Sequence, residues 1–105
     1  MLQAKVDTLA RLMEASQHCL IYSGAGISTN SGISDYATRT GTGSSTSQRP
    51  KLRSPYEAQP TYAHRGLVAL HYAKFIQYWV QQNHDGLPQK AGLPQYAINE
   101  IHGAW

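Results

Sequence analysis

The run "CLIYSGAGIS", residues 19–28, does most to limit what this chain can become. Its first half is apolar and closed by glycine, the mark of a short buried strand. Its second half sets Gly24 and Gly26 among small residues, a turn that lets the backbone reverse tightly at a strand end. A second helical start is expected near Thr29. Upstream, residues 2–17 carry Leu2, Val6, Leu9 and Met13 at steps of four, three and four. That spacing predicts an amphipathic helix, with Lys5, Asp7, Arg11 and Glu14 turned away from the apolar stripe. Helix, strand, glycine turn and helix in this order open an α/β unit.

Gly24 and Gly26 make the G-x-G half of a dinucleotide loop, in which backbone N–H groups approach a pyrophosphate at a helix N-terminus. The usual third glycine would fall at position 29, where Thr29 stands; the next glycine is Gly32. The acid that usually holds the ribose would come about 20 residues on, and Asp35 comes too early for that. Taken alone, the pair leaves an ordinary tight turn and a cofactor site equally open.

The rest of the chain alternates signals in the same α/β manner. Residues 37–56, rich in Gly, Ser, Thr, Arg and Pro, read as a mobile loop. Residues 62–74 suit a helix burying Leu67, Leu70 and Ala73. "FIQYWVQQ", 75–82, reads as a strand by its aromatic and β-branched content, with Trp79 and Tyr78 as core and strand face. "NHDGLPQKAGLP", 83–94, is punctuated by Gly and Pro and is expected to be loop, and "QYAINEIHGAW" closes with a short helical or extended piece. No internal repeat is visible.

Composition narrows the setting. A length of 105 residues allows one small domain. Arg39, Arg49, Lys51 and Arg53 share a segment with no acid between Asp35 and Glu57, which suits a solvated loop or contact with phosphates or an acidic partner. Cys19 is the only cysteine, so neither an internal disulfide nor a Cys-x-x-Cys zinc site can form, and an intracellular setting is expected. No secretory signal is recognisable, and "CLIY" is too short to span a membrane. His18, His64, His71 and His84 lack metal-ligand spacing and are expected at the surface or in packing; no metal residues are assigned.

Three longer motifs resolve the loop. "GAGISTNSGISDY" resembles the sirtuin (Sir2) signature GAGIS-T-x-x-G-I-P-D-F/Y-R, "QNHDGL" (82–87) is similar to the family's Q-N-x-D-G-L, and "EIHG" (100–103) is similar to its E-L-H-G. They stand in the family's order, and the resemblance covers roughly residues 15–105. The run "QPTYAHRGLVALH" resembles the class IV branch. The resemblance implies an NAD-dependent protein-lysine deacylase, which uses NAD to give nicotinamide, deacylated lysine and acyl-ADP-ribose. It implies a Rossmann-like fold, a doubly wound parallel sheet, here incomplete. Gly24, Ala25, Gly26, Ser28 and Thr29 would surround the phosphates and nearby ribose, and Asp35 and Tyr36 would sit by the nicotinamide end. Gln82, Asn83 and Asp85 would line the pocket where nicotinamide leaves. His102 would be the general base towards a ribose hydroxyl, a task that suits an imidazole with its pKa near neutrality.

Departures from the signature shape the expectation. The family's arginine after the Asp-aromatic pair is Ala37 here, Ser34 replaces the proline before it, and the histidine that follows D-G-L is Pro88. Trp105 ends the chain where the family continues into a four-cysteine zinc module and later strands, so the zinc of the family has no ligands here. Residues 1–105 are therefore expected to form a partial sirtuin catalytic domain, inactive or weak alone, whose partners would be NAD and an acyl-lysine protein such as a histone. An alternative is a non-catalytic module that binds NAD or ADP-ribose, or pairs with itself or a full-length relative through an open sheet edge. A third reading, contact with nucleic acid through the basic 39–53 loop, would show steep salt dependence.

Overall fold

The structure, a computed structural model, describes residues 1–32 and 57–104. The loop expected over 37–56, with Asp35, Tyr36, Ala37 and the basic residues from Arg39 to Arg53, lies outside the described residues. Helix α1 spans Leu2–Ala15 and ends where Ser16 turns extended, its N–H donating to the carbonyl of Met13. The predicted stripe does share one side: Val6, Leu9 and Met13 face Leu70 and Phe75 across an apolar cleft of about 420 Å3. The stripe is not sealed, however, and α1 buries no residue at all.

Strand β1 (Leu20–Ser23) pairs in parallel with β2 (Tyr78–Gln81), and β2 with β3 (Ile98–Glu100), giving the order β1-β2-β3. Ile21, Trp79 and Ile98 lie opposite one another in this register, so their side chains share a face. That face is the core: Val68, Trp79, Leu93, Ala97 and Ile98 pack together with Ile21, Ile27, Leu67 and Ala91 against them. The indole N–H of Trp79 donates to Ser23 Oγ at 2.8 Å, which spares the ring an orphaned donor in the interior. On the other face Leu20 and Tyr22 stand exposed. A parallel sheet normally carries cover on both faces, and among the described residues β1 and β3 each have one unpaired edge. An open parallel sheet with crossover helices is the incomplete Rossmann-like fold expected from the resemblance.

Helix α2 (Tyr62–Tyr72) supplies the cover on the packed face. Thr61 starts it with a capping box: its Oγ1 accepts from His64 N–H, and His64 Nδ1 accepts from Thr61 N–H at 3.0 Å. The helix ends two residues before the expected Lys74, which takes a left-handed φ of 72°, while Phe75 N–H bonds back to the carbonyl of Leu70. Its buried residues are His64 and Val68; Leu67 and Leu70 are half-buried and Ala73 is exposed, so the inward face is rotated from the predicted one. The strand expected over 75–82 narrows to β2, and residues 83–94 hold a short helix, α3 (Leu87–Lys90), instead of only loop. Pro88 fits there because first-turn N–H groups need no helical acceptor, and Gly86 provides the left-handed entry at φ 64°. Leu87 and Pro88 are buried, which apolar burial explains better than punctuation.

Candidate functional site

The motifs meet at the C-terminal ends of β1 and β2, where α/β sheets hold their ligands. Leaving β1, the chain makes two successive 3₁₀ turns, Ala25–Ile27 and Thr29–Ser31, in place of the helical start expected at Thr29. Gly32 closes the second turn at φ 94°, a conformation that side chains other than glycine resist. This gives the displaced third glycine its physical role. A Cβ built on Gly24 would stand 2.8 Å from Gln82 Oε1, whereas one on Gly26 would meet nothing within 4 Å. Backbone at Gly26 therefore borders open space, beside a cleft of about 650 Å3 that Ile27, Asn30, Thr61 and Arg65 also line.

Ser28 is the hub. It is buried, its Oγ donates to Asp85 Oδ2 at 2.6 Å, and it accepts from Asn83 Nδ2 at 3.2 Å. The same Asn83 amide donates to the carbonyl of Gly24 at 2.8 Å. Asp85 Oδ1 accepts the N–H of Leu87 at 3.0 Å, so the start of α3 holds the carboxylate in place. Gly24, Ser28, Asn83 and Asp85, taken from two separate motifs, are thus brought into one hydrogen-bonded cluster.

His64 belongs to this cluster, and the sequence reading placed it only at the surface or in packing. It is fully buried, its ring stacks on Trp79 with centroids 6.2 Å apart, and its Nε2 lies 3.5 Å from Ser28 Oγ. Because Nδ1 accepts from Thr61 N–H, the neutral ring carries its proton on Nε2, directed at Ser28. Burial pushes its pKa below the ordinary value, against the pull of the Asp85 charge. Thr61 Oγ1 also donates to the carbonyl of Ile27 at 3.1 Å, fastening α2 to the glycine turn. The signal that could have found His64 is the T-x-x-H spacing, a capping box with imidazole in the usual Glu position.

Other candidates stand apart from the hub. Ala25 offers its carbonyl to Ser28 N–H, and Thr29 Oγ1 donates to the carbonyl of Gly26 at 3.3 Å. Gln82 reaches away to Tyr22, its Nε2 donating to the phenol oxygen at 2.8 Å. His102 is exposed and linked to the site through the backbone, Nδ1–H donating to the carbonyl of Gln82 at 3.2 Å. In the neutral ring that bond leaves the lone pair on Nε2, the form a proton acceptor needs. Asp35 and Tyr36 lie outside the described residues.

Fold and site together define part of an open parallel α/β unit with a glycine turn at its strand ends, and the chain's likenesses give its family. No family model matches it. It is 40% identical over 104 residues to the mouse NAD-dependent protein deacetylase sirtuin-7, covering 97% of this chain and 26% of that protein. It is 38% identical over 109 residues to the NAD-dependent protein deacetylase SRT1 of Arabidopsis thaliana, covering 98% of this chain and 23% of the relative. Among solved structures, Sir2Tm bound to a propionylated peptide aligns with a TM-score of 0.75 at 26% identity, over 95% of this chain and 46% of its own. A Sir2 complex with a p53 peptide and NAD+ aligns at 0.74 and 27%, over 92% of this chain and 45% of its own. The chain belongs to the sirtuin (Sir2) family, and spans about a quarter of the length of these curated relatives.

Proposed function

We propose that this chain carries the NAD-loop portion of a protein-lysine deacylase, weak or inactive by itself. One observation carries the reading: Asn83 joins the carbonyl of Gly24 to Ser28 Oγ while Ser28 donates to Asp85, so both signatures converge on one point. Open backbone at Gly26 fits the approach of a phosphate, and the buried Ser28 with the half-buried Asn83 and Asp85 offers the mixed donors and acceptors that a carboxamide and ribose hydroxyls require. Gly24, Ala25, Gly26, Ser28 and Thr29 would hold the phosphates and ribose, with Asp35 and Tyr36 at the nicotinamide end. Gln82, Asn83 and Asp85 would line the pocket for nicotinamide. Bound NAD would supply the ribosyl carbon that accepts the acyl oxygen of an acyl-lysine protein. His102 Nε2 would take the proton of a ribose hydroxyl, its ring held by the Gln82 carbonyl.

Cys19 is the single cysteine, and among the described residues no group of three or more His, Cys, Asp or Glu could hold a metal ion. Nor is any helix of the described residues long and apolar enough to cross a membrane. An intracellular site, nuclear or cytoplasmic, accords with a lone cysteine in a chain of this family. The open edge of β1, with Leu20 and Tyr22 exposed, supports a second reading: a non-catalytic NAD-binding module that pairs with another sirtuin chain.

Calorimetry with NAD, followed by incubation with NAD and an acetylated peptide, separates the two. Saturable NAD binding with slow, His102-dependent nicotinamide release supports the deacylase reading. Binding without release supports the module, and no heat at millimolar NAD removes both.

A further inference from the structure

Two histidines far apart in sequence come together beside the site. The rings of His84 and His102 have centroids 6.1 Å apart and planes inclined by 30°. His84 lies in the bend after β2 and His102 in the turn after β3, and the pairing of Gln81 with Glu100 sets these two segments side by side. His102 is exposed and His84 half-buried, so an ion in solution can reach both. The separation in sequence hides the pair from any reading of local ligand spacing.

We infer that His84 and His102 form a two-imidazole site for a borderline divalent cation such as Ni2+, Zn2+ or Cu2+. Metal–nitrogen bonds of about 2.0–2.1 Å put the centroids of two rings sharing one ion about 5–6 Å apart, close to the separation observed. The second support is the bond from His102 Nδ1–H to the Gln82 carbonyl. Metal-binding histidines commonly carry such a bond on the nitrogen that does not bind the ion, because it fixes the tautomer and aims the other nitrogen outward. With no third His, Cys, Asp or Glu in a metal-sized group among the described residues, water completes the coordination. Imidazole ligands select the late first-row ions over Mg2+ or Ca2+. An ion on His102 Nε2 would occupy the lone pair assigned above as proton acceptor and so inhibit; that consequence alone rests on the deacylase reading.

The test is a titration of the intact chain with Ni2+, followed by paramagnetic broadening of backbone amide signals. Broadening should begin together in the segments around His84 and His102. Replacing either ring, by His84→Ala, His84→Gln or His102→Ala, should weaken Ni2+ binding roughly tenfold or more, since even outer-shell changes cost about 10–100-fold. His71→Ala and Cys19→Ser should leave it unchanged. Broadening centred on His18, Cys19 or His71 overturns the assignment, as does a single variant within about twofold of the parent or no broadening at millimolar Ni2+. Because Ni2+ binding needs no NAD, failure of the NAD experiment and failure of this one are read separately.

Discussion

Helix α1 and the ends of β1 and β2 both draw on apolar and small polar side chains, and they reach opposite conditions. Around the strand ends Trp79, His64, Ser28 and Gln81 are almost wholly buried, and the side chains of the first three are hydrogen-bonded. Along α1, Leu2, Leu9 and Leu12 are 76%, 57% and 65% exposed. The difference lies in what each segment faces. Trp79 is met by α2 on the covered face of the sheet, whereas the stripe of α1 faces Leu70 and Phe75 across an open cleft. Amphipathic spacing names a side; it does not supply the surface that side needs.

If the packed region holds this fold together, Trp79→Ala should be the most damaging change. It removes the central core ring, the stack on His64 and the partner of Ser23 Oγ. A loss of about 3–5 kcal/mol is expected, read as a shift in the urea midpoint. A loss under about 1 kcal/mol would mean that the core is not where the packing puts it.

Ser28→Ala tests the polar half of the same region. It leaves Asp85 Oδ2 without its 2.6 Å donor and Asn83 with one acceptor fewer. The stability cost should be about 1 kcal/mol or more, since the orphaned groups are only half-buried. NAD affinity should fall with it, measured by calorimetry. Unchanged stability would show that water takes over these contacts and that the hub is loose.

The pH dependence of the packed region should follow His64. Its folded pKa is lowered, chiefly by burial with Asp85 opposing, so the unfolded chain binds more protons between the folded value and the ordinary value of about 6.5. Stability is therefore full above the ordinary value and falls as pH drops through it towards the lowered one. Ser28, Thr61, Trp79 and Asp85 are the groups that meet the ring, and only Asp85 among them carries charge. Urea midpoints at pH 7.5 and 5.5 should differ more in the parent than in His64→Gln, which cannot titrate. Equal slopes would remove His64 as the acid-sensitive group.

What could be read from the sequence divides along the same line. β1 and β2 were legible because short apolar runs bounded by Gly or polar residues fit few other structures, and Gly24 marked where β1 gives way to a turn. Helix α3 was hidden by Pro88 and Gly92, residues that usually mark loops and here serve as first-turn proline and a left-handed residue at φ 109°. His64 was missed because its meaning depends on Ser28, 36 residues away. The bond from Gln82 to Tyr22 arises through a pairing that only the parallel register creates. Local pattern gave elements and the turn; contacts across strands could be seen only once folded.

The smallest effect should come from α1. Leu12→Ala removes an apolar side chain that is 65% exposed and keeps a good helix former, so stability should move by no more than about 0.5 kcal/mol. The measurement is the same urea midpoint, taken at two protein concentrations. A loss above about 1 kcal/mol would mean that the flank of α1 carrying Leu12 is covered in solution, and a loss that grows with concentration would identify the cover as a second chain. Either result would erase the contrast between α1 and the strand ends. The expected near-zero change would keep it, leaving α1 as a helix whose side towards Leu70 and Phe75 stays open.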